Sequence, residues 1–342
     1  MKKYLLLALF ISFEIITAQS KVIVYAGNGE AGYKDGKVKD AMFNVPFGMC
    51  IDNESNLYIA DIGNNCIRKI DNAGIVSTFA GSVDSGYVDG AKEEALFYQP
   101  TGICTDNEGN FYVADFLNHY IRKIDDEGNV TTIAGNGETG FKDGTGNEAH
   151  FNYPRGIVID SKGNLYVGDS WNHRIRKITP AGVVSTFAGY ADEIGTESRG
   201  TLKDGKGADA RFGTPCGLAI DKNDNIYVAD ALNHAARKID TQGNVTTIAG
   251  NGTIGSDDGI GQSALLNTPT ELFVTSDGIV YISDTYNSKI RKVAADGTVT
   301  TIAHETDGID YPRGIVYDEN SGSIYFVDFN HNCIKSITTQ AE

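Results

Sequence analysis

The sequence has little positive charge. Its 29 Lys and Arg residues are outnumbered by 45 Asp and Glu residues, which gives a net charge of -16, and no run of basic residues occurs. Nucleic-acid binding draws most of its affinity from Lys and Arg placed on phosphates. The composition therefore argues against a nucleic-acid partner, and equally against attraction to anionic membranes.

Cysteine is also scarce, and long apolar segments are missing after the N-terminus. The 5 cysteines show no CxxC spacing, so zinc and thioredoxin-like sites are not indicated, and an odd number leaves at least one free thiol in an exported protein. The only apolar run is Tyr4 to Phe13, which follows Lys2 and Lys3 and is too short to span a bilayer.

These N-terminal residues predict a secretory signal peptide. The basic pair, the apolar run and the small residue before Gln19 are its three usual parts. We therefore expect residues 1–18 to be removed and residues 19–342 to form a single domain, secreted or periplasmic, without a transmembrane segment and monomeric.

Proline is rare, with 7 residues against 40 glycines, and this balance indicates many tight turns rather than disorder. Six of the prolines begin similar units at intervals of roughly 50 residues. The second unit reads "PTGICTDNEGNFYVADFLNHYIRKIDDEGNVTTIAG". The repeats start at Pro46, Pro100, Pro154, Pro215, Pro269 and Pro312.

Each unit divides into short strands separated by turns. In the second unit, "GICTD", "FYVAD", "YIRKI" and "VTTIAG" are rich in β-branched and aromatic residues and are separated by Asn- and Gly-containing turns. Four strands per unit, repeated around an axis, predict an all-β, six-bladed β-propeller. The sixth unit lacks its fourth strand, and "KVIVYAGNG" near the N-terminus resembles that strand, so the N-terminal segment should complete the last blade and close the ring.

The repeats resemble the NHL-repeat family of six-bladed propellers, in its exported bacterial form. The resemblance is carried by "YVADFLNHYIRKI", "YVGDSWNHRIRKI" and the linker "GNGETGFKDGTGNEAHFNYPRGI", and it covers almost the whole mature chain. It implies the fold. It leaves function open, because the family includes peptide-amidating lyases and extracellular binding modules, and the related gluconolactonase propellers are hydrolases.

Polar residues that recur in all or most blades are expected to be architectural, because a ligand has no six-fold symmetry. The Asp that ends each second strand is present in all six blades, and the Asn three positions later and the Arg of the third strand recur in five. His119, His173, His234 and His331 follow in four blades at what looks like one position. Peptide-amidating lyases hold zinc through histidines, but equivalent turns of neighbouring blades lie too far apart for one zinc ion, so no metal site is predicted there.

Candidate ligand-binding residues lie where the repeats differ. After the repeat proline, blades 1, 3 and 6 carry Phe47, Arg155 and Arg313, and one place further blade 5 carries Glu271 where the others have Gly. We expect the glycines to keep the channel mouth open and Glu271 to bring a carboxylate near the axis. The two arginines could clamp an anion, or all three charged residues could pair with one another.

Two further departures lie on the same face. The turns after the second strands carry Phe116, Trp171, Tyr286 and Phe329, which could stack on sugars or a peptide or could only pack between blades. The crossover after blade 3 is lengthened by residues 190–202, which could cover the channel mouth.

Two functions remain open on the sequence. The first is an exported binding module for a glycan, peptide or protein ligand at the channel face, because no nucleophile–base pair or metal cluster is visible. The second is an enzyme of lyase or lactonase type, with Glu271 as the catalytic residue and a divalent ion, Ca or Zn, in the axial channel. No cofactor is predicted for the binding module.

Overall fold

The computed structural model describes residues 21–190 and 201–338. Within them, six antiparallel sheets are arranged around one axis. The innermost strand of each sheet begins at a repeat proline and contacts the innermost strands of both neighbouring sheets. The chain is therefore an all-β, six-bladed β-propeller, as predicted. The signal-peptide segment and most of the lengthened crossover lie outside the described residues.

The strands follow the repeat. The N-terminal strand is β1 (Val22–Ala26). Blade 1 contains β2 (Gly36–Lys37), β3 (Pro46–Ile51), β4 (Leu57–Asp61), β5 (Cys66–Ile70) and β6 (Ile75–Gly81). Blade 2 contains β7 (Gly90–Ala91), β8 (Pro100–Thr105), β9 (Phe111–Asp115), β10 (Tyr120–Ile124) and β11 (Asn129–Ala134). Blade 3 contains β12 (Gly144–Thr145), β13 (Pro154–Ile159), β14 (Leu165–Asp169), β15 (Arg174–Ile178) and β16 (Val183–Ala188). Blade 4 contains β17 (Gly205–Lys206), β18 (Pro215–Ile220), β19 (Ile226–Asp230), β20 (Ala235–Ile239) and β21 (Asn244–Ala249). Blade 5 contains β22 (Gly259–Ile260), β23 (Pro269–Val274), β24 (Val280–Asp284), β25 (Lys289–Val293) and β26 (Thr298–Ala303). Blade 6 contains β27 (Pro312–Asp318), β28 (Ser323–Asp328) and β29 (Cys333–Thr338).

Short 3-10 helices occupy turns between strands. They span Ile62–Asn64, Gly146–Glu148, Ser170–Asn172, Gly207–Asp209, Ala231–Asn233, Gly261–Ser263, Thr285–Asn287 and Glu305–Asp307. Among the described residues, none of the helices has the length and apolar character needed to cross a membrane.

The ring closes as the sequence predicted. Strand β1 pairs antiparallel with β29, so that Val22 lies opposite Ile337, and the sixth sheet has the order β1-β29-β28-β27. The prediction of four strands per blade holds for this blade. The other five carry one more strand of two residues, which pairs with the outer edge of the fourth strand and covers part of it.

The recurring polar residues form one buried network per blade. In blade 2 the Oδ1 atom of Asp115 accepts a hydrogen bond from the Tyr98 backbone N–H, and its Oδ2 atom accepts bonds from Asn118 and Arg122. Arg122 also donates to Asp89 in the crossover, at 2.6 Å. The network ties the second strand, the turn and the crossover of a blade together, which is the architectural role expected of it.

Apolar side chains fill the spaces between neighbouring blades. One such cluster combines Tyr58 of blade 1 with Ile103, Phe111 and Val113 of blade 2, around the buried crossover residue Phe97. Because each cluster draws residues from two blades, packing fixes the position of each blade against the next. The axis is left lined by the six inner strands.

Candidate functional site

In five of the six blades the inner strands come so close at the axis that only glycine fits two residues after the repeat proline. A Cβ atom at Gly102 would overlap the carbonyl oxygen of Arg155 in the next blade, and one at Gly314 would overlap that of Phe47. The sequence predicted that these glycines keep the channel mouth open. The structure adds a second role, because glycine also allows adjacent inner strands to approach each other.

A narrow channel runs along the axis. It encloses about 170 Å³ and is lined mainly by backbone and apolar side chains of the inner strands, with Glu271 of β23 as its acidic side chain. The carboxylate of Glu271 fills the space beside Gly217 of the preceding blade, where a Cβ atom would collide with it. The prediction that Glu271 brings a carboxylate to the axis is met in the structure.

Above this channel, on the face formed by the turns between second and third strands, lies a wider pocket of about 750 Å³. It brings together six of the eight residues singled out from the sequence. These are Phe47, Arg155, Trp171, Tyr286, Arg313 and Phe329.

The two arginines converge on one aromatic ring in this pocket. The guanidinium carbon of Arg313 lies 4.7 Å from the centre of the Phe47 ring, and that of Arg155 lies 5.8 Å from it. Phe116 lies against Arg155 at 5.1 Å, and Phe329 lies against Arg313 at 4.6 Å. Three rings thus hold two positive charges in place through cation–π contacts.

Neither arginine has a carboxylate partner among the residues that the structure describes. Their Nε atoms are buried without a hydrogen-bond partner, and one Nη atom of Arg155 donates to the Cys216 sulfur at 3.4 Å. This differs from the arginines of the blade networks, each of which bonds two aspartates. The alternative that Arg155, Arg313 and Glu271 form ion pairs with one another is therefore not realised.

Burial and neighbouring charges shift the pKa values of Arg313 and Glu271. Burial lowers the pKa of Arg313 to about 10, and the positive charge of Arg155 adds to this effect. Burial raises the pKa of Glu271 to about 8, although Arg313 and Arg155 act in the opposite direction. At neutral pH the site therefore contains two cations above a protonated carboxyl group, and it has a net positive charge within an acidic protein.

The aromatic residues fall into two groups. Phe116 and Phe329 contact the arginines, whereas Trp171 and Tyr286 stand at the rim, where each side chain is 53% exposed. Trp171 packs on Tyr153 with ring centres 4.3 Å apart, and Tyr286 packs on Tyr311 at 5.0 Å. One face of each rim side chain thereby packs against a tyrosine, and the rest of the side chain remains accessible.

Tyr153 and Tyr311 were not predicted as site residues. They immediately precede the repeat prolines of blades 3 and 6, so these two blades share the segment "YPRG", at 153–156 and 311–314. No other blade contains this segment, so it was the sequence signal that could have identified the two tyrosines as site residues. It supplies each arginine together with a tyrosine that supports the rim.

Three of the histidines act as links between blades. The Nδ1 atoms of His119, His173 and His234 each accept a hydrogen bond, at 3.1 to 3.2 Å, from the backbone N–H that precedes the next blade's repeat proline. Burial lowers the pKa values of His119 and His234, which favours the neutral ring that can accept such a bond.

His331 does not share this position, contrary to the sequence interpretation. It replaces the turn Asn of its blade, with Nδ1 2.9 Å from Asp328, while Asn332 makes the link to the next blade. No group of three His, Cys, Asp or Glu side chains among residues 21–190 and 201–338 is arranged to hold a metal ion.

Comparison with known proteins identifies the repeat. The family model for the NHL repeat matches residues 97–124 and 151–178. The chain is 31% identical over 309 residues to the chloroplastic protein SUPPRESSOR OF QUENCHING 1 of Arabidopsis thaliana, covering 85% of this chain and 29% of that protein. It is 27% identical over 383 residues to human NHL repeat-containing protein 2, covering 93% of this chain and 52% of that protein. The chain thus spans about half or less of these relatives.

Solved structures share the architecture at low sequence identity. An auxiliary nutrient binding protein from Bacteroides thetaiotaomicron superposes with a TM-score of 0.68 at 17% identity, over 93% of this chain and 76% of that one. A gluconolactonase from Xanthomonas campestris superposes with a TM-score of 0.63 at 10% identity, over 93% of this chain and 89% of that one. The repeats, their closure into six blades and these similarities agree, and the chain belongs to the NHL-repeat β-propellers.

Proposed function

We propose that the protein is a binding module whose channel face receives a glycan, peptide or protein ligand. The observation that carries the proposal is the pair Arg155 and Arg313, which lie in the 750 Å³ pocket without a carboxylate partner among residues 21–190 and 201–338. A buried cation normally has a counter-charge or a set of acceptors, because burial alone is costly. A ligand that supplies acceptors would satisfy both arginines at once.

The rim supports the same function. Trp171 and Tyr286 are half exposed at the pocket edge and are held by tyrosines, so a ligand could cover them without reorganising the protein. Aromatic side chains of this kind combine a large apolar area with low conformational freedom and are frequent in binding sites. The similar fold of a nutrient binding protein is consistent with this function. We further propose that the module is exported, as the signal-peptide prediction implies.

The test is ligand binding by arginine variants. Arg155→Ala and Arg313→Ala should each weaken binding of a ligand found by a glycan or metabolite screen, and should leave the thermal midpoint nearly unchanged. A matched control is Lys123→Gln in blade 2, which removes one positive charge away from the channel-face pocket. A collapse of the thermal midpoint in the arginine variants, with binding unaffected by milder Arg→Lys changes, would show that the arginines are structural.

A second candidate function is a lyase or lactonase that uses Glu271. The raised pKa of about 8 makes this carboxyl group a possible general acid near neutral pH. The described residues of the channel do not supply a ligand set for Ca or Zn, because Glu271 is the acidic residue that lines it. Turnover of lactone substrates that is lost in Glu271→Gln, with ligand affinity retained, would favour the enzyme over the binding module.

A further inference from the structure

Exposed apolar rim residues from three successive blades form an arc on one half of the channel mouth. Trp171, Leu232 and Tyr286 occupy the same turn position in blades 3, 4 and 5, and each is 53% exposed. The equivalent residues of blades 1, 2 and 6 are Gly63, Leu117 and Asn330. The arc therefore begins at blade 3, which also provides Arg155, and ends at blade 5, next to the blade that provides Arg313.

The arginine pair lies at the inner side of this arc. Both guanidinium groups contact Phe47, and both belong to the same pocket as the three rim residues. A ligand that covers the arc therefore passes above two cations that have no counter-ion in the described part of the chain. Such a ligand gains most if it has a negative group on its inner side and apolar faces on its outer side.

The charge of the whole protein favours a ligand with one acidic unit. Guanidinium groups bind carboxylates and phosphates alike through paired N–H···O bonds. The net charge of -16 opposes ligands that are strongly anionic along their whole length, and it opposes a doubly charged phosphate more than a singly charged carboxylate. A single carboxylate in an otherwise neutral ligand meets the least opposition.

The apolar arc favours a sugar chain over a peptide. One common way of holding a peptide is main-chain pairing with a free strand edge. In the described part of the chain, the mouth instead presents turn tips and short 3-10 helices such as Ser170–Asn172 and Thr285–Asn287. Exposed Trp and Tyr rings match the C–H faces of pyranose rings, and three successive rim residues provide room for more than one sugar unit.

We infer that the channel face binds an acidic oligosaccharide, with the carboxylate of one sugar held between Arg155 and Arg313 and neighbouring units lying on Trp171, Leu232 and Tyr286. This inference rests on the proposed binding function and deepens it. It assigns the arginines to charge recognition and the arc to sugar-ring contacts. The two sets of residues should therefore respond differently to changes in the ligand.

The experiment is calorimetric binding with a panel of trisaccharides. Each trisaccharide contains one glucuronate, galacturonate or sialate unit and is compared with its carboxyl-reduced form; a peptide with a free C-terminus and inorganic phosphate are further probes. We expect at least one acidic trisaccharide to bind and its reduced form to bind roughly tenfold or more weakly. Arg313→Gln should produce a similar loss for the acidic form alone, and Trp171→Ala should weaken binding of both forms.

The outcomes separate the inference from the function on which it rests. If acidic and reduced forms bind equally and Trp171→Ala weakens both, the channel face is a binding site but the carboxylate assignment is wrong. If the peptide or phosphate binds and no acidic trisaccharide does, the sugar assignment is wrong. If no probe binds, the acidic-oligosaccharide inference fails. Arg313→Lys, which keeps the charge, and Lys123→Gln serve as controls for folding and for general charge effects.

Discussion

Replacing Glu271 with Gln should stabilise the folded protein at alkaline pH and have little effect in acid. Burial raises the pKa of Glu271 from 4.5 to about 8. Below the unfolded-state pKa the carboxyl group is protonated in both states. As the pH rises toward 8, the unfolded chain loses this proton while the folded chain retains it, so the wild-type free energy of unfolding falls. The Gln variant has no carboxyl group at this position, so its free energy of unfolding does not fall for this reason.

The size of the expected stability difference follows from the pKa shift of Glu271. Each pKa unit corresponds to about 1.4 kcal/mol, so the full shift sets an upper limit of about 5 kcal/mol for the difference that develops across this pH range. Glu271 is not completely shielded from channel water, which reduces the effect. We therefore expect the Gln variant to gain about 2 to 4 kcal/mol relative to wild type on going from about pH 4 to about pH 9.

Urea unfolding followed by circular dichroism would measure this difference at several pH values. Glu93→Gln, which changes an exposed carboxyl group, is the matched control and should show no comparable pH-dependent gain. A stability difference between Glu271→Gln and wild type that stays constant from acid to alkaline pH would refute the reasoning. It would mean that Glu271 ionises in the folded protein as it does in the unfolded chain.

Three further changes test the architecture. Arg122→Met leaves the buried Asp115 without its ion pair and should lower the free energy of unfolding by about 3 to 5 kcal/mol, measured by urea titration. His119→Ala removes the acceptor of the Tyr153 backbone N–H and should cost about 1 to 3 kcal/mol, whereas His119→Asn, which uses the side chain found at this position in two other blades, should restore most of it. Gly102→Ala should prevent the close approach of two inner strands; a wild-type thermal midpoint in this variant would contradict that geometry.

Much of the fold could be predicted because the repeat makes local patterns unambiguous. Six copies of one strand pattern identify a blade, and the missing strand of the last unit identifies the segment around Val22–Ala26 that closes the ring. The added strands such as Gly36–Lys37 were missed because two residues carry no alternation. Their pairing depends on the edge that the fourth strand presents.

The candidate site was predictable where blades differ and not where contacts cross between blades. Arg155, Arg313 and Glu271 stood out as departures from the repeat, and the structure brings both arginines to one ring. The sequence could not show that the arginines have no carboxylate partner among the residues that the structure describes. The role of Tyr153 and Tyr311 was equally hidden, because it depends on side chains of other turns.

A one-residue offset separates His331 from the histidines that link blades. His119 is the fourth residue after Asp115, whereas His331 is the third after Asp328, and Asn332 takes the left-handed conformation. This offset changes the function of the side chain from linking two blades to bonding the aspartate of its own blade.

The pairing of β1 with β29 makes the ring depend on a single seam between the two ends of the described chain. Five blades are built from contiguous residues and can form as soon as their own strands exist, but the sixth requires Val22–Ala26 to wait for Cys333–Thr338. Such distant pairing is slow compared with local hairpins. Until it occurs, β29 presents an unpaired edge that an N-terminal strand of another molecule could occupy. Ring closure is thus the step at which folding within one molecule competes with exchange of this strand between molecules.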